Sequence, residues 1–402
     1  LGAVLAYPAF LVGDFLYDAP IPLPVSDITS VSAAGESAMY AVNPARTGAA
    51  AQGPTLLGEL RWKFETAEPL LASPAVVGGV VYQPTGDRRL VALSASDGSL
   101  LWERPTSGPV DSSPAVAGGV VYYGQRDGQM LAVDQKTGEL VWSAEMGPIL
   151  GGPVVYRGVV YIGGGDGLLH ALDAKTGESL WTFEAGGWLV GGMPLNDRVI
   201  AVTNSSGDIH IVDIKTGQDR LFYDAVNTVS GNTVLEGDRL FLSTLAGRVA
   251  AVDWRKREYP YERSLLRWRL QFWVWGFTEA IPKQKGLVWQ RNLGRRTRIS
   301  APVVVGDTLY VATHRGKLLA MDTGGGVIRW EYDVGEPIFS SPAVAGGVAY
   351  IGTDKGNLHA VDRATGKPLW TFSTGGRLRN RAVIAADSVF VASEDGSLYA
   401  IR

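Results

Sequence analysis

Tryptophan recurs along this chain at a nearly constant interval, and that rhythm restricts the fold more than any other feature. Trp62, Trp102, Trp142 and Trp181 stand 40, 40 and 39 residues apart, Leu221 takes the next place, and Trp289, Trp330 and Trp370 resume the series at steps of 41 and 40. The flanking text repeats too, as AVDQKTGELVW at 132–142, ALDAKTGESLW at 171–181 and AVDRATGKPLW at 360–370. An Asp precedes the Trp by eight residues in four units (Asp134, Asp173, Asp322 and Asp362), whereas Asp253 precedes Trp289 by 36, so about 28 residues are inserted there. A unit of about 40 residues cannot bury a hydrophobic face alone, so repetition at that period means units stacked on one another.

One unit, SSPAVAGGVAYIGTDKGNLHAVDRATGKPLWTF (340–372), holds four short strand patterns separated by turns. Gly356 in DKGN suits the positive φ of a tight hairpin. In the DRATG turn, the Asp362 carboxylate can accept backbone N–H bonds while Gly366 supplies the left-handed residue. The Trp or Leu that follows reads as an apolar plug between neighbouring sheets, worth roughly 1.5–3 kcal/mol when fully buried. Eight second strands can be counted, from VVYQ (80–83) to VFVAS (389–393). The last unit stops after its third strand, SLYAI, and a spare strand carrying Trp62, ELRWKFET (59–66), precedes the first. Pairing 59–66 with 397–401 would close the ring and remove an open sheet edge. The expectation is an all-β, eight-bladed β-propeller of four-stranded antiparallel blades over 59–402, its last blade closed by the N-terminal strand.

Composition agrees with a packed chain. Hydrophobic residues make up 46% and charged residues 19%, which excludes disorder, and 51 Gly supply many tight turns. With a formal charge of −3 and no long basic run, nucleic-acid binding is not expected. The absence of Cys excludes disulfides, thiolate metal sites and a Cys nucleophile in these residues. The first residue is Leu, and LGAVLAYPAFLV (1–12) is almost wholly apolar yet shorter than the roughly 20 residues a bilayer requires. It reads as the remnant of a membrane anchor or signal region, or else as an apolar arm. Residues 13–58 read as an extended lead-in, so the chain divides into 1–58 and 59–402.

The D-x-x-T-G-x-x-x-W units resemble those of the PQQ-type β-propeller repeat family. The matching residues are Asp134, Thr137, Gly138 and Trp142; Asp173, Thr176, Gly177 and Trp181; and Asp362, Thr365, Gly366 and Trp370. NPARTGAA (43–50) is similar to the lead-in common before such propellers, with Met39 and Tyr40 at its aromatic start. The resemblance implies the fold. Its members include quinoprotein alcohol dehydrogenases, scaffolds of the BamB type and uncharacterised extracytoplasmic propellers, and fold alone does not choose among them.

A quinoprotein site, as the resemblance describes it, needs long inter-blade insertions, an adjacent Cys pair, a Trp floor and calcium held by acidic and amide side chains. This chain has no Cys and one sizeable insertion. Three of its four His (His170, His210 and His359) occupy a slot, three residues before the repeat Asp, that elsewhere holds Val91, Leu131, Ala250, Leu319 or Tyr399. Such a slot is structural. His314, in THRGK, is expected to be solvated, and Asp127–Gly128, Asp166–Gly167 and Asp395–Gly396 are expected to be hairpin turns. No catalytic residue, cofactor or metal site is therefore expected.

The insertion at about 254–288 is the most informative departure. It carries four of the twelve Trp, namely Trp254, Trp268, Trp273 and Trp275, with Tyr259, Tyr261, Phe272 and Phe277. Alternation through Leu266, Trp268, Leu270 and Phe272 suits a strand, whereas Leu265, Trp268, Phe272 and Trp275 fit helical spacing; Pro260 and Pro282 bracket the segment, and the reading leans to a short helix. Arg263, Arg267, Trp268, Arg269, Phe272, Trp273, Trp275 and Phe277 are the expected contact residues, for a partner protein or a membrane interface. The alternative is an insertion that folds back and buries its own aromatics. The chain is thus expected to be a non-catalytic extracytoplasmic scaffold or accessory subunit in a membrane-associated assembly, periplasmic or at the cell surface, tethered at or before its N-terminus. A PQQ-dependent oxidoreductase and a ligand- or glycan-binding propeller are the alternatives.

Overall fold

The computed structural model describes residues 21–402 except 25, 31, 33–35, 42, 51–56, 190, 230, 281 and 386. Eight sheets follow one another as blades. Blade 1 is built from Ala75–Val77, Val80–Thr85, Arg89–Ser94 and Leu100–Pro105, and six of the others repeat the same innermost-to-outermost order. Blade 4 keeps three strands, and a single bridge, Leu195 to Ile200, stands where its innermost strand is expected. Blade 8 ends the ring as the sequence predicts. Val383–Ala385, Ser388–Ala392 and Ser397–Ile401 are completed by Leu60–Glu65, with Trp62 opposite Ala400 and Phe64 opposite Leu398. The innermost strand of blade 8 packs beside that of blade 1, which brings the two ends of the ring together.

The repeat residues explain how one blade holds the next. In the turn before each outermost strand, the Asp accepts from the backbone: Lys136 and Thr137 N–H donate to Asp134 at 2.8 and 2.9 Å, and Asp173 is used the same way. Those N–H groups hold the Asp134 carboxyl below its ordinary range. The Gly of that turn takes positive φ (72° at Gly138) and faces the Trp of the preceding blade; a Cβ on Gly138 would lie 2.7 Å from the Trp102 ring. Gly98 stands to Trp62, Gly177 to Trp142 and Gly366 to Trp330 in the same way. Trp62, Trp102, Trp142, Trp289 and Trp330 also donate their indole N–H across the gap, as Trp142 does to the Ala174 carbonyl at 3.0 Å. A Tyr of the second strand packs on the Trp of its own blade, with centroids 5.9 Å apart for Tyr122–Trp142 and for Tyr350–Trp370. The anchors are therefore inter-blade plugs, buried at Trp62, Trp142, Trp181 and Trp289 and half-buried at Trp102, Trp330 and Trp370.

The lead-in is more than an extended approach. Its backbone and side chains accept from the innermost strands of six blades and from the bridge residue of blade 4: Val76 N–H donates to Ser37, Val116 to Ala38, Val155 to the Ser30 hydroxyl, Leu195 to Pro44, Leu235 to Ala45, Val304 to Thr47 and Val344 to Gly48. Ala49–Ala50 then pairs in parallel with blade 7. These donors sit at one equivalent position in successive blades, and the lead-in satisfies them in turn. His314 departs from expectation: it is half-buried and accepts the Arg298 N–H at 3.0 Å, because the neighbouring loop folds over its hairpin. The apolar stretch 1–12 lies outside the described residues.

Candidate functional site

The insertion leaves the propeller at its rim. Asp253 N–H donates to the Gly286 carbonyl at 2.7 Å, the bond that Asp134 makes to Glu139 in blade 2, so the extra residues emerge from an otherwise ordinary turn of blade 5. Trp254, the first of its four Trp, is buried and donates to the Gly237 carbonyl at 2.9 Å. It belongs to the propeller.

The segment that follows is a helix, α1 (Pro260–Val274), which resolves the ambiguity between strand and helix. Pro260 stands at its first position, where a missing N–H costs nothing, and the Glu262 carboxylate turns back to accept the Tyr259 N–H at 2.9 Å. Gly276 stops it. At φ +79° it lets its own N–H reach the Trp273 carbonyl and the Phe277 N–H reach that of Phe272, at 3.0 and 2.9 Å. The Phe272 and Phe277 rings then meet at 6.0 Å, the apolar contact that accompanies such a left-handed stop.

Polar ties hold the root of the helix. Glu258 N–H donates to the Arg220 carbonyl at 2.7 Å. The Gln284 amide accepts from Asp224 N–H at 2.9 Å and donates to the Asp224 carbonyl at 2.7 Å, which covers part of the outer edge of blade 4 as another strand would. Lys285 reaches Glu262, and the Arg263 guanidinium lies 3.8 Å above the Phe222 ring while pairing with Glu258 at 3.2 Å. Between α1 and the outer strands of blades 4 and 5 runs a groove of about 1180 Å³, with Arg263, Leu266, Arg267 and Leu270 on the helix side.

Among the described residues, no element covers the opposite face of α1. Tyr261, Leu265, Trp268, Phe272 and Trp275 succeed one another at intervals of four, three, four and three residues and form one exposed stripe. Trp268 is 60% exposed, Trp275 56% and Phe277, just beyond, 73%. Their rings touch one another rather than the propeller, with Trp275–Phe277 centroids at 6.3 Å. Of the residues expected to make contacts, Trp268, Phe272, Trp275, Phe277, Arg267 and Arg269 are exposed. Trp273 is half-buried, and Arg263 faces the groove as an anchor. Across 254–288, eight Lys and Arg stand against three Glu, in a chain whose formal charge is −3. Arg267 and Arg269 make no ion pair among the described residues. Nothing in the sequence marks Gln284 as a clamp, although Gly276 after an aromatic run is a legible stop signal.

The His slot is structural in each blade. His170 bonds Asp166 at 2.9 Å, His210 bonds Asp219 at 2.7 Å, and His359 is buried beside the Thr371 hydroxyl. Among the described residues, no group of three or more His, Cys, Asp or Glu is placed to hold a metal ion. The hub contains the buried lead-in residues Met39 and Arg46 and a cavity of about 160 Å³. These residues do not fit the quinone-and-calcium site that the family resemblance describes.

A family model described as outer membrane protein assembly factor BamB matches residues 49–152, 146–274 and 279–402. Curated protein sequences give no match. Among solved structures, BamB from Moraxella catarrhalis superposes with a TM-score of 0.65 at 16% identity, over 84% of this chain and 97% of that one. A europium-containing methanol dehydrogenase superposes with a TM-score of 0.72 at 17% identity, over 90% and 89%. A quinohemoprotein alcohol dehydrogenase from Comamonas testosteroni gives 0.70 at 15%, over 92% and 81%. At such identities these likenesses establish the fold alone.

Proposed function

The chain belongs to the family of the outer membrane protein assembly factor BamB, and from that premise we propose that it is a non-catalytic scaffold whose blade 5 insertion docks a protein partner in a membrane-associated assembly. The observation that carries this reading is the exposed stripe from Tyr261 to Trp275 on a helix tied firmly at its root. Soluble chains seldom leave so large a contiguous apolar surface uncovered. Trp, Tyr and Arg are the residues that dominate binding energy at protein interfaces, and a stripe at four-three spacing suits an apposed helix or groove. The positive excess of the insertion favours a partner with an acidic rim, since complementary charge speeds encounter. Family membership also supports an extracytoplasmic location, periplasmic or at the cell surface, with tethering at or before the N-terminus. Among the described residues no helix is long and apolar enough to cross a membrane.

The test is purification from native membranes of the full chain and of a variant lacking 256–284. The variant keeps its fold and loses the co-purifying protein. Equal recovery of that protein by both chains overturns the reading, and loss of binding to protein-free anionic vesicles instead assigns the stripe to lipid. The second reading, a quinoprotein oxidoreductase, draws on the fold likeness to the methanol and alcohol dehydrogenases. Adding PQQ and Ca²⁺ and recording the visible spectrum separates it, because a scaffold retains no chromophore after gel filtration.

A further inference from the structure

Beyond the rim, the hub holds an electrostatic arrangement that neither the fold nor the scaffold role requires. Three residues before the seven laced donors stand Ser73, Ser113, Gly152, Gly192, Asn232, Ala301 and Ser341, and the equivalent eighth position, in blade 8, is Arg381. Seven are small, and the eighth is an arginine. A second arginine enters from the lead-in. Arg46 is 1% exposed and Arg381 4%. They flank Tyr40, with their guanidinium carbons 5.7 and 5.8 Å from its ring centre.

Each guanidinium has too few partners. Arg46 donates one bond, to the Gly152 carbonyl at 2.7 Å, and its Nε is buried without an acceptor. Arg381 donates to the Gly48 carbonyl at 2.5 Å and has the Tyr40 hydroxyl as a second hydrogen-bond partner. Neither makes an ion pair with an Asp or Glu among the described residues, and the one acid at the cavity, Asp111, is already paired with Arg126. Burial holds the Arg46 guanidinium down, to about 10, and the charge of Arg381 pushes the same way; burial lowers Arg381 as well. Two buried like charges with unused donors are costly unless something negative joins them. Arg46 is moreover held at φ +56°, a left-handed conformation that a non-glycine residue adopts only under constraint. Both arginines line the cavity of about 160 Å³, together with Tyr40, Ser73, Ser113 and Asn232. That is room for a small anion and a few waters, given about 30 Å³ per water.

We propose that the hub binds one small oxyanion, a phosphate or carboxylate group, in the cavity that Arg46 and Arg381 both line. Guanidinium forks pair with two oxygens of such groups at once, and the Ser113 hydroxyl, which accepts from the Ser73 N–H at 3.1 Å, supplies a further donor. Because Arg46 belongs to the lead-in, the oxyanion also ties the lead-in to blade 8, the one blade whose innermost strand receives no backbone bond from it among the described residues. The proposal stands independently of partner docking at the rim.

The test titrates the full chain with inorganic phosphate, and separately with acetate, against sodium chloride at equal ionic strength. Isothermal titration calorimetry and thermal melting are the readouts. The expected result is one saturable site, with a Tm rise of several degrees at about 100-fold excess over Kd; the tighter of the two anions identifies the source. Arg46→Gln with Arg381→Gln abolishes the shift, yet in anion-free buffer melts no lower than the parent, because two unpaired buried charges are gone. Arg381→Lys, which keeps the charge and loses the fork, binds more weakly and remains informative if the double variant fails to fold. No saturable shift in the parent overturns the proposal. So does an equal shift in the double variant, which signals an adventitious ion only.

Discussion

The indole of Trp370, in blade 7, lies against Gly58, which precedes the strand closing blade 8: a Cβ on Gly58 would fall 2.8 Å from the ring. Gly58 precedes Trp62 by four residues, as Gly138 precedes Trp142. The turn it completes is assembled from two distant stretches of chain, since Arg402 N–H donates to the Glu59 carbonyl at 2.9 Å where Asp134 donates to Glu139 within one turn. The ring is thus closed by the same plug-and-glycine contact used between the other blades.

Replacing Gly58 by Ala should destabilise the whole ring. A side chain at φ +76° costs about 1–2 kcal/mol, and the Trp370 ring must also move. Gly186, at φ +66° with open space around it, is the control. Urea unfolding should show a loss of at least about 2 kcal/mol for Gly58→Ala and about 1 kcal/mol for Gly186→Ala. Equal losses would mean that the ring contact contributes nothing.

A chain that starts after Thr66 lacks Leu60–Glu65 and leaves Ser397–Ile401 as an unpaired edge. It should aggregate or lose its cooperative melt, because a flat apolar edge recruits other strands. Light scattering during a thermal ramp reads this directly; a melt like that of the parent would show that closure is dispensable.

At the end of α1, Gly276→Ala forces a side chain into φ +79° with nothing within 4 Å of it. The cost of about 1 kcal/mol falls on the last helical turn rather than on the blades. Hydrogen exchange at 272–277 should quicken several-fold while the global melt stays put. A lowered global melt would place the helix inside the cooperative unit.

His359 gives a pH signature. Burial depresses its pKa from the usual 6.5. The unfolded chain therefore binds a proton near pH 6.5 that the folded chain takes up only at lower pH, so stability is complete above about 6.5 and declines as pH falls from there toward the folded value. Leu131 and Leu319 fill the same slot in other blades. His359→Leu should remove this part of the decline, measured as the difference in unfolding free energy between pH 7.5 and 5. An unchanged difference would show that His359 does not titrate differently in the two states.

The repeat and the blade count were legible because each depends on residues near in sequence, an Asp and a Gly that shape one turn and a Trp at fixed distance from them, and the closing strand was legible because the last unit stops one strand short while a spare strand precedes the first. The aromatic insertion was visible too, as an interval of 68 where 40 was due. Its helical state was ambiguous, since alternation and four-three spacing overlap between Leu265 and Phe272. What tipped the balance was the Gly276 stop, with its Phe272–Phe277 contact, and the clamp of Gln284 on Asp224, 60 residues away.

By itself, the sequence determined an eightfold ring of four-stranded sheets, because local turn chemistry and an apolar plug recur with one period. Only the tertiary structure decided which faces are left over. The lead-in meets seven blades that are distant in sequence, and through it Arg46 arrives beside Arg381, 335 residues later. Periodicity reports what every blade shares. A pair of charges that occurs once, between a blade and a segment outside the repeat, has no periodic trace, and the cavity that both guanidiniums line exists only after the ring has closed around them.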